Sequence, residues 1–449
     1  MAHLRPPSVK HRRADPFQTD IEAGVGRRPQ PIGDAPHQIA DGAFAHPQLV
    51  LRDQNVTAAT APTAAVSSQA AGRRKVLIWH WGRRGGGVRY TYELVKELRH
   101  DPNLELHLSL SRQGDIFQEL DGLGLPGFHI DTYTDIPSAV TALLRLPLVR
   151  SRFWRYVREQ GISAVVCTMS HLWDVPVLWR RPRDVAFVFV LHDALPHSGD
   201  DVPIRKRMLD REIAESDGIV ALTEHTRKLV TEVNHFPSDR VWVIPLGVFP
   251  YADSAASEPA AAANRPLQLL FFGRLMPYKG LDLLLDAYRM LKQAGKNVAL
   301  RIAGPGDIGP YQAQLAGLAD VDLDIRWIPE EEVGAVFRDI DIVVAPYRGA
   351  SQSGVLVTSG AAGIPAVVTP VGGLAEQVLH ERTGIVADAA TPEAIAAAVT
   401  RLVDDDALRR RCGEGARQHA ADVLSWASIA AQFSPILHSV TPRRPDGGA

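Results

Sequence analysis

The sequence lacks the cysteine content that would hold a small secreted protein together covalently. Its 449 residues include two cysteines, Cys167 and Cys412, which lie far apart and match no metal-ligand or disulfide spacing. Cys167 ends the apolar run 164–166 and is predicted to be a small buried side chain. We therefore expect a reduced protein of the cytoplasm.

Long apolar runs and a large net charge are also missing. No stretch approaches the ~20 apolar residues that a membrane-spanning helix needs, and the N-terminus has no apolar core of a signal peptide. The formal net charge is −2, so membrane affinity would require a local cluster, and no nucleic-acid partner is expected. A content of 45% hydrophobic and 22% charged residues is that of a globular protein.

The chain divides into two similar halves that follow an N-terminal extension. Residues 1–72 are poor in aromatics and rich in Pro, Ala, Arg and Gln, which predicts a disordered, low-complexity segment. Beyond it, short apolar strands alternate with helical patterns or loops, as in sheets covered on both faces. The predicted strands are 76–79, 164–167, 186–191, 218–222, 241–244, 267–272, 299–303, 324–327, 342–345 and 366–369.

This alternation predicts an α/β protein with two Rossmann-like domains whose parallel sheets face each other across a cleft. We place the N-terminal domain at 73–250, a linker at 251–266 and the C-terminal domain at 267–422, followed by a helix at 423–438 and a tail at 439–449. Ligands bind at the carboxyl ends of the strands in such sheets, so the active site is expected in the cleft.

The first candidate site is a glycine-rich loop after the first strand. Gly85, Gly86 and Gly87 precede a helical pattern, where glycines allow a close backbone approach and a helix N-terminus offers N–H groups to an anion. The loop does not match the dinucleotide fingerprint, which disfavours a nicotinamide cofactor. A purely structural glycine turn is the alternative.

The second candidate site follows the first strand of the C-terminal domain. Arg274 and Lys279 lie five residues apart between Gly273 and Gly280. The pair suits a diphosphate, because Arg grips two phosphate oxygens while Lys acts as a point charge. A solvated surface loop is the alternative.

Three further features complete the set of candidate site residues. Small polar residues before an apolar helix pattern could bind a phosphate or sugar hydroxyls through backbone N–H groups, although an ordinary capped helix also fits. An acid follows a second glycine turn, and a histidine ends the strongest apolar strand, where it is either a sugar ligand or structural. No metal is expected. The small residues before the helix pattern are Ser351, Gln352, Ser353 and Gly354, the acid is Glu376, and the histidine is His192.

Taken together, the motifs resemble those of the retaining glycosyltransferases of family 4, which have the GT-B fold. The similarity covers about residues 75–437 and includes a last-helix signature, which implies that 423–438 crosses back to the N-terminal domain. Each motif is weak singly, and their order and spacing carry the resemblance. They lie at 86–94, 192–193, 244–248, 273–274, 279–280, 303–306, 341–347, 363–368, 372–376 and 425–426.

The resemblance implies a nucleotide-diphosphate sugar as co-substrate. Arg274 and Lys279 would hold its diphosphate and stabilise charge as the glycosidic bond breaks. Gly86 and Gly87 would lie against the diphosphate from the other domain, and His192 would touch the transferred sugar. Retention in this family is usually explained by front-face attack, in which a phosphate oxygen of the leaving group takes the proton of the acceptor.

One departure concerns two glutamates that many members carry eight positions apart, the first on the donor sugar and the second on the ribose. The matching residues are Ala350 and Thr358. A Ser-Gln-Ser-Gly-Val loop occurs in part of the family, so we do not interpret the change as inactivation. It leaves the ribose without an assigned residue and motivates the alternative of a non-catalytic relative that binds a nucleotide sugar or a protein partner.

The acceptor is the least defined part of this interpretation. Residues 143–158 combine five arginines with Leu, Phe, Trp and Tyr, which is typical of segments that lie on anionic bilayers. A helix packed on the N-terminal domain, with Pro147 breaking its start, is the alternative. We expect hexose transfer to a lipid-linked oligosaccharide in bacterial exopolysaccharide or capsule synthesis, at the inner face of the plasma membrane. An epimerase or phosphorylase of the same fold is a third interpretation.

Overall fold

The computed structural model describes residues 72–133, 136–194, 203–249, 251 and 265–443. In the N-terminal domain, strands alternate with helices along the chain. These elements are β1 (Arg74–His80), α1 (Gly86–Leu98), β2 (Leu104–Leu110), α2 (Phe117–Asp121), α3 (Ile136–Glu159), β3 (Ala164–Cys167), α4 (Asp174–Leu178), β4 (Ala186–Leu191), α5 (Pro203–Glu215), β5 (Gly218–Ala221), α6 (Glu224–Glu232) and β6 (Val241–Val243).

The C-terminal domain repeats this alternation, and three helices end the described chain. The elements are β7 (Leu267–Phe272), α7 (Leu281–Gln293), β8 (Val298–Ala303), α8 (Gln312–Leu315), β9 (Val321–Asp324), α9 (Glu330–Phe337), β10 (Ile342–Ala345), α10 (Gly354–Ala361), β11 (Ala366–Val368), α11 (Leu374–Gln377), β12 (Gly384–Val386), α12 (Pro392–Asp404), α13 (Asp406–Asp422) and α14 (Trp426–Ser439).

Each domain contains one parallel sheet. The strand orders are β2-β1-β3-β4-β5-β6 and β12-β11-β10-β7-β8-β9, and β1 pairs in parallel with both β2 and β3. The direction of winding reverses beside β1 in the first sheet and beside β7 in the second. A crevice opens at the carboxyl ends of the strands at each reversal, and it is the usual ligand site of such sheets.

Helices cover both faces of the sheets, which explains why the strands are apolar along their whole length. Every residue of β4 is buried. On one face of the first sheet, Trp79 packs against Trp81 and Phe153 with ring centroids 4.9 and 5.0 Å apart. Such tilted and edge-on aromatic contacts are favourable beyond their buried area.

Helix α14 returns to the N-terminal domain and completes the core on the other face of its sheet. Ile429, Phe433 and Leu437 are buried in the same cluster as the strand residues of β1. The indole of Trp426 donates a hydrogen bond to the Val248 carbonyl at 2.6 Å. A side chain at Gly247 would start 2.7 Å from that indole, so glycine permits the helix to approach this closely.

The predicted fold class of two facing Rossmann-like domains is confirmed. Two strands were not predicted, β2 and β12, and one was misplaced, because β9 ends at Asp324 where the sequence predicted 324–327. In β2 the polar residues His107 and Ser109 interrupt the apolar run by which the other strands were predicted. Both are buried, since the Tyr156 hydroxyl and the Phe128 carbonyl satisfy them at 2.8 and 2.7 Å.

Helix α3 also differs from expectation, because Pro147 lies inside it and does not break its start. Within the described ranges, no helix combines the length and the apolar character needed to cross a membrane. The predicted extension up to residue 71, linker residues 252–264 and tail residues 444–449 lie outside the described residues.

The packing of α14 predicts that Phe433→Ala lowers the free energy of unfolding by about 3–5 kcal/mol, because it leaves a cavity at a fully buried position. The exposed neighbour Gln432 is the control, and Gln432→Ala should change it by less than about 0.5 kcal/mol. Denaturant unfolding followed by tryptophan fluorescence measures both. Equal losses in the two variants would contradict the role of α14 in the core.

Candidate active site

The carboxyl ends of the two sheets enclose a cleft of about 600 Å³. Its walls combine the start of α1 with the loops after β7, β8 and β9. The residues that line it include Gly85, Gly86, Val88 and Arg89 from the N-terminal domain and Phe272, Gly273, Arg274, Gly304, Pro305, Trp327 and Glu330 from the C-terminal domain. The structure thus brings Gly86 together with Gly273 and Arg274 in one cleft wall.

The glycine-rich loop directs the N-terminus of α1 toward this cleft. Gly85 has φ 86°, a left-handed conformation that favours glycine, and the helix begins at Gly86. Gly87 lies behind the cleft wall, because a side chain there would start 2.4 Å from Met169 Cε. The two predicted glycines therefore differ, since Gly86 lines the cleft whereas Gly87 allows close packing.

Lys279 lies beneath the loop that follows β7. Its ammonium donates a hydrogen bond to the Tyr347 hydroxyl at 3.1 Å and lies 5.0 Å from the centre of that ring. A side chain at Gly273 would start 2.7 Å from Nζ. Gly273 therefore leaves room for the ammonium, and an approaching phosphate would meet a cation that is already held in place.

Arg274 occupies the wall of the same cleft with an exposed side chain. Within the described part of the chain its guanidinium makes no hydrogen bond or ion pair. An arginine without such a partner, set opposite a helix N-terminus, is suited to a dianionic ligand because both groups attract the same charge.

The loop 351–354 follows β10 and adjoins Lys279 through Tyr347. The Ser353 hydroxyl lies 3.4 Å from the Tyr347 hydroxyl, and its backbone N–H donates to Gln377 at 2.7 Å. Ser351 is buried, and its carbonyl accepts a hydrogen bond from Thr223. Gly354 opens α10. In the described structure, the buried Oε1 of Gln352 has no hydrogen-bond partner.

Glu376 makes contacts that the sequence did not predict. Its two carboxylate oxygens accept the backbone N–H groups of Glu224 and His225, each at 2.7 Å. These residues begin α6 of the other domain, so the carboxylate caps a helix across the interface. A role in donor binding remains a prediction.

His192 lies at the carboxyl end of β4 and touches Tyr90 edge-on at 5.2 Å between ring centroids. Its Nε2 donates to the Thr168 carbonyl at 2.9 Å, and burial lowers its pKa. Beside it, His80 Nδ1 hydrogen-bonds with the hydroxyls of Thr91 and Thr168 at 3.0 Å each. Burial lowers the pKa of His80 to about 3, and the nearby His171 and His192 add to the shift.

The two positions where many family members carry glutamate are buried. Ala350 belongs to the core beneath the cleft, and the Thr358 hydroxyl donates to the Gly354 carbonyl within α10 at 3.0 Å. That hydroxyl is used inside its own helix, so neither residue replaces a carboxylate toward a ligand.

Sequence reasoning missed two features of the cleft. Arg89 of α1 donates to the Glu330 carboxylate of α9 at 2.6 and 3.0 Å, which joins the two domains across the cleft. Arg89 stood inside a family motif without an assigned role.

Trp327 is 58% exposed because β9 ends before it. The sequence analysis placed Trp327 in a strand at 324–327 and therefore did not predict its position in the cleft wall.

The described residues contain no group of three or more His, Cys, Asp or Glu side chains that could hold a metal ion.

Solved structures share this fold. Sucrose-phosphate synthase from Thermosynechococcus elongatus matches with a TM-score of 0.64 at 18% identity, over 82% of this chain and 98% of that chain. The Anabaena protein HepE in complex with UDP-glucose matches with a TM-score of 0.61 at 16% identity, over 81% and 99%. The fold is that of the GT-B glycosyltransferases.

Sequence comparisons then give the family. The family model described as Glycosyltransferase Family 4 matches residues 84–250, and the model described as Glycosyl transferases group 1 matches residues 266–405. The D-inositol 3-phosphate glycosyltransferase of Corynebacterium efficiens is 29% identical over 322 residues, 67% of this chain and 73% of the relative. That of Corynebacterium glutamicum strain R is 30% identical over 310 residues, 65% and 72%. The chain belongs to glycosyltransferase family 4 and is a glycosyltransferase.

The environment of His80 predicts a pH dependence of stability. Its pKa falls from 6.5 to about 3 on folding, so between these values the unfolded state binds a proton that the folded state does not. Its contribution is complete above pH 6.5 and is lost as the pH falls toward 3.

In urea unfolding at about pH 7.5 and about pH 5, His80→Asn should abolish about 2 kcal/mol of the acid-induced loss. His100→Asn, at an exposed position, is the control and should retain the full loss. An unchanged acid-induced loss in His80→Asn would show that folding does not shift this histidine.

Proposed function

We propose that the protein transfers a sugar from a nucleotide-diphosphate sugar to an acceptor with retention of configuration. The observation that carries this proposal is the position of Arg274 in the cleft wall, without a partner in the described chain and facing the start of α1. Lys279 lies behind it beside Gly273. The HepE complex with UDP-glucose supports the choice of ligand.

The reaction requires stabilisation of a leaving diphosphate. As the bond between the anomeric carbon and the diphosphate oxygen breaks, Arg274 and Lys279 oppose the developing negative charge, and the N–H groups at Gly86 add to this field. The acceptor oxygen forms its bond on the same face of the sugar. Its proton passes to a phosphate oxygen of the leaving group, so no protein nucleophile takes part.

The remaining predicted residues would orient the donor. We assign Ser351, Ser353 and Gly354 to its phosphate and sugar groups through the loop after β10, and His192 to the transferred sugar. Gln352 supports this assignment, because an acceptor oxygen that is buried without a partner in the described structure costs free energy unless a ligand hydroxyl satisfies it. Glu376 would contact the donor only by leaving α6.

For the acceptor we propose a lipid-linked glycan at an anionic membrane. Half of the predicted segment packs inward, since Phe153, Trp154 and Val157 of α3 are buried. Leu143, Leu144 and Leu148 are exposed on the same helix. A small phosphorylated polyol is the second candidate acceptor, favoured by the names of the curated relatives.

A second helix extends this exposed surface. Leu172 and Trp179, which flank α4, are each 58% exposed. The guanidinium groups of Arg150 and Arg180 lie 5.1 and 5.2 Å from the Trp179 ring, so cations surround an interfacial aromatic. Exposed leucines bordered by arginines are the composition of surfaces that bind anionic bilayers. Helix α4 follows the carboxyl end of β3, at the edge of the sheet that faces the cleft.

Calorimetric titration with UDP, GDP, ADP and TDP tests the donor proposal. One nucleotide should bind to the protein, and Arg274→Ala with Lys279→Ala should weaken it at least about tenfold, because charge-assisted contacts to phosphate are lost. Arg410→Ala, on the distant surface of α13, is the control.

Nuclear magnetic resonance of the product formed from the matching nucleotide sugar should show that the anomeric configuration is retained. An inverted product would refute front-face transfer. No binding of any of the four nucleotides to the folded protein would refute the donor proposal and favour the non-catalytic alternative.

Flotation with phosphatidylglycerol vesicles tests the membrane proposal. The protein should float at low salt, and Leu144→Ser combined with Leu148→Ser should abolish flotation, because exposed apolar side chains supply the insertion. Val233→Ser, at an exposed apolar side chain directly after α6, is the control. Flotation that survives the double replacement, or that fails in the unaltered protein, would contradict membrane binding by this surface.

A further inference from the structure

Helix α6 meets the C-terminal domain end-on. Its cap residue Thr223 and its first residues Glu224 and His225 face the loop after β10 and the start of α11. The first N–H groups of a helix have no partner inside it and carry a partial positive charge. In this protein Thr223 caps the N–H group of Thr226, and the opposite domain satisfies those of Glu224 and His225.

Three hydrogen bonds form this contact, which we call the α6 joint. Glu376 accepts the N–H groups of Glu224 and His225 at 2.7 Å each. Thr223 donates its hydroxyl to the Ser351 carbonyl at 2.9 Å. A carboxylate that accepts two N–H groups at a helix start is a charge-assisted contact, stronger than a neutral hydrogen bond.

The joint is also closely packed. A side chain at Gly373 would start 2.0 Å from the Ser351 carbonyl oxygen and 2.7 Å from Thr223 Cγ2. Glycine alone fits between the loop 351–354 and the other domain at this point, so the contact depends on the shape of both surfaces as well as on their charges.

A chain of hydrogen bonds connects the joint to Lys279. Gln377, next to Glu376 on α11, accepts the Ser353 N–H at 2.7 Å and donates to the Ser353 carbonyl at 3.3 Å. The Ser353 hydroxyl lies 3.4 Å from that of Tyr347. Tyr347 in turn accepts the hydrogen bond from Lys279.

We propose that Glu376 and Thr223 are positioning residues that make the geometry of the loop 351–354 conditional on closure of the two domains. When the joint forms, Ser351 is fixed from the N-terminal domain and Glu376 fixes α11, whose Gln377 holds Ser353. When the joint opens, both restraints are lost together. The importance of the α6 joint for catalysis rests on the proposed function of the loop 351–354. The existence of the joint does not depend on that proposal.

This role is distinct from direct donor binding by Glu376. A change in the backbone of α6 distinguishes the two roles, because it disrupts the joint and leaves Glu376 unaltered. Glu224→Pro removes one N–H group that Glu376 accepts, at the first position of a helix, where proline is tolerated. Glu224→Ala is the matched control, because it removes the same side chain and its ion pair with Arg227 but keeps the N–H group.

The first readout needs no substrate. Spin labels on Ser151→Cys and Glu414→Cys, at exposed positions of α3 and α13, report the distance between the domains by pulsed electron spin resonance. Glu224→Pro should broaden the distance distribution toward longer values, and Glu376→Ala should match it. Glu224→Ala should resemble the unaltered protein. A distribution unchanged by both Glu224→Pro and Glu376→Ala would refute the joint.

The second readout is turnover of the nucleotide sugar identified by titration. Glu224→Pro should lower kcat/KM about tenfold, as expected for one lost charge-assisted hydrogen bond. Glu376→Ala loses both bonds and should lower it at least as much, and the double variant should be no worse than Glu376→Ala. Loss in Glu376→Ala with full activity in Glu224→Pro would assign Glu376 to the donor and overturn the proposal. If Glu224→Pro does not fold, Thr223→Val replaces it, because it removes the hydroxyl that donates to the Ser351 carbonyl and leaves Glu376 unaltered.

Discussion

In parallel pairing, neighbouring strands run in one direction, so their carboxyl ends gather at one edge of each sheet. The cleft depends on this constraint, because the residues that form it are scattered along the chain and meet only at that edge. The reversal of winding beside β1 and beside β7 then opens each edge at one place. His80 and the glycine loop lie at the first opening, and Lys279 and Tyr347 lie at the second.

Close backbone approach is the second recurring element at both edges. Gly273 leaves space for the ammonium of Lys279, Gly87 for Met169, and Gly373 for the loop 351–354 and Thr223. The same property serves three purposes, which are to place a cation, to seat a helix and to fit two domains together. A glycine in this protein is therefore informative only once its neighbour is known.

Polar side chains join the two domains beside the cleft. Arg89 pairs with Glu330, and Glu376 caps α6. Helix α14 adds an apolar contact by burying Phe433 in the N-terminal core. A polar contact that opens can exchange its partner for water, whereas an apolar contact that opens exposes its surface to water.

Local pattern was sufficient for the fold class, for most strands and for the loops that carry Gly86, Gly273 and Arg274, because apolar runs and glycine turns record burial and backbone shape directly. Strand β2 was not predicted from this pattern, because His107 and Ser109 are polar residues whose hydrogen-bond partners lie elsewhere in the chain. The ion pair of Arg89 with Glu330 and the capping of α6 by Glu376 were likewise beyond its reach. The sequence by itself determined which segments end at the cleft. The tertiary structure alone decided which side chains are already paired across it, because such pairs join residues far apart in sequence and leave no periodic signal.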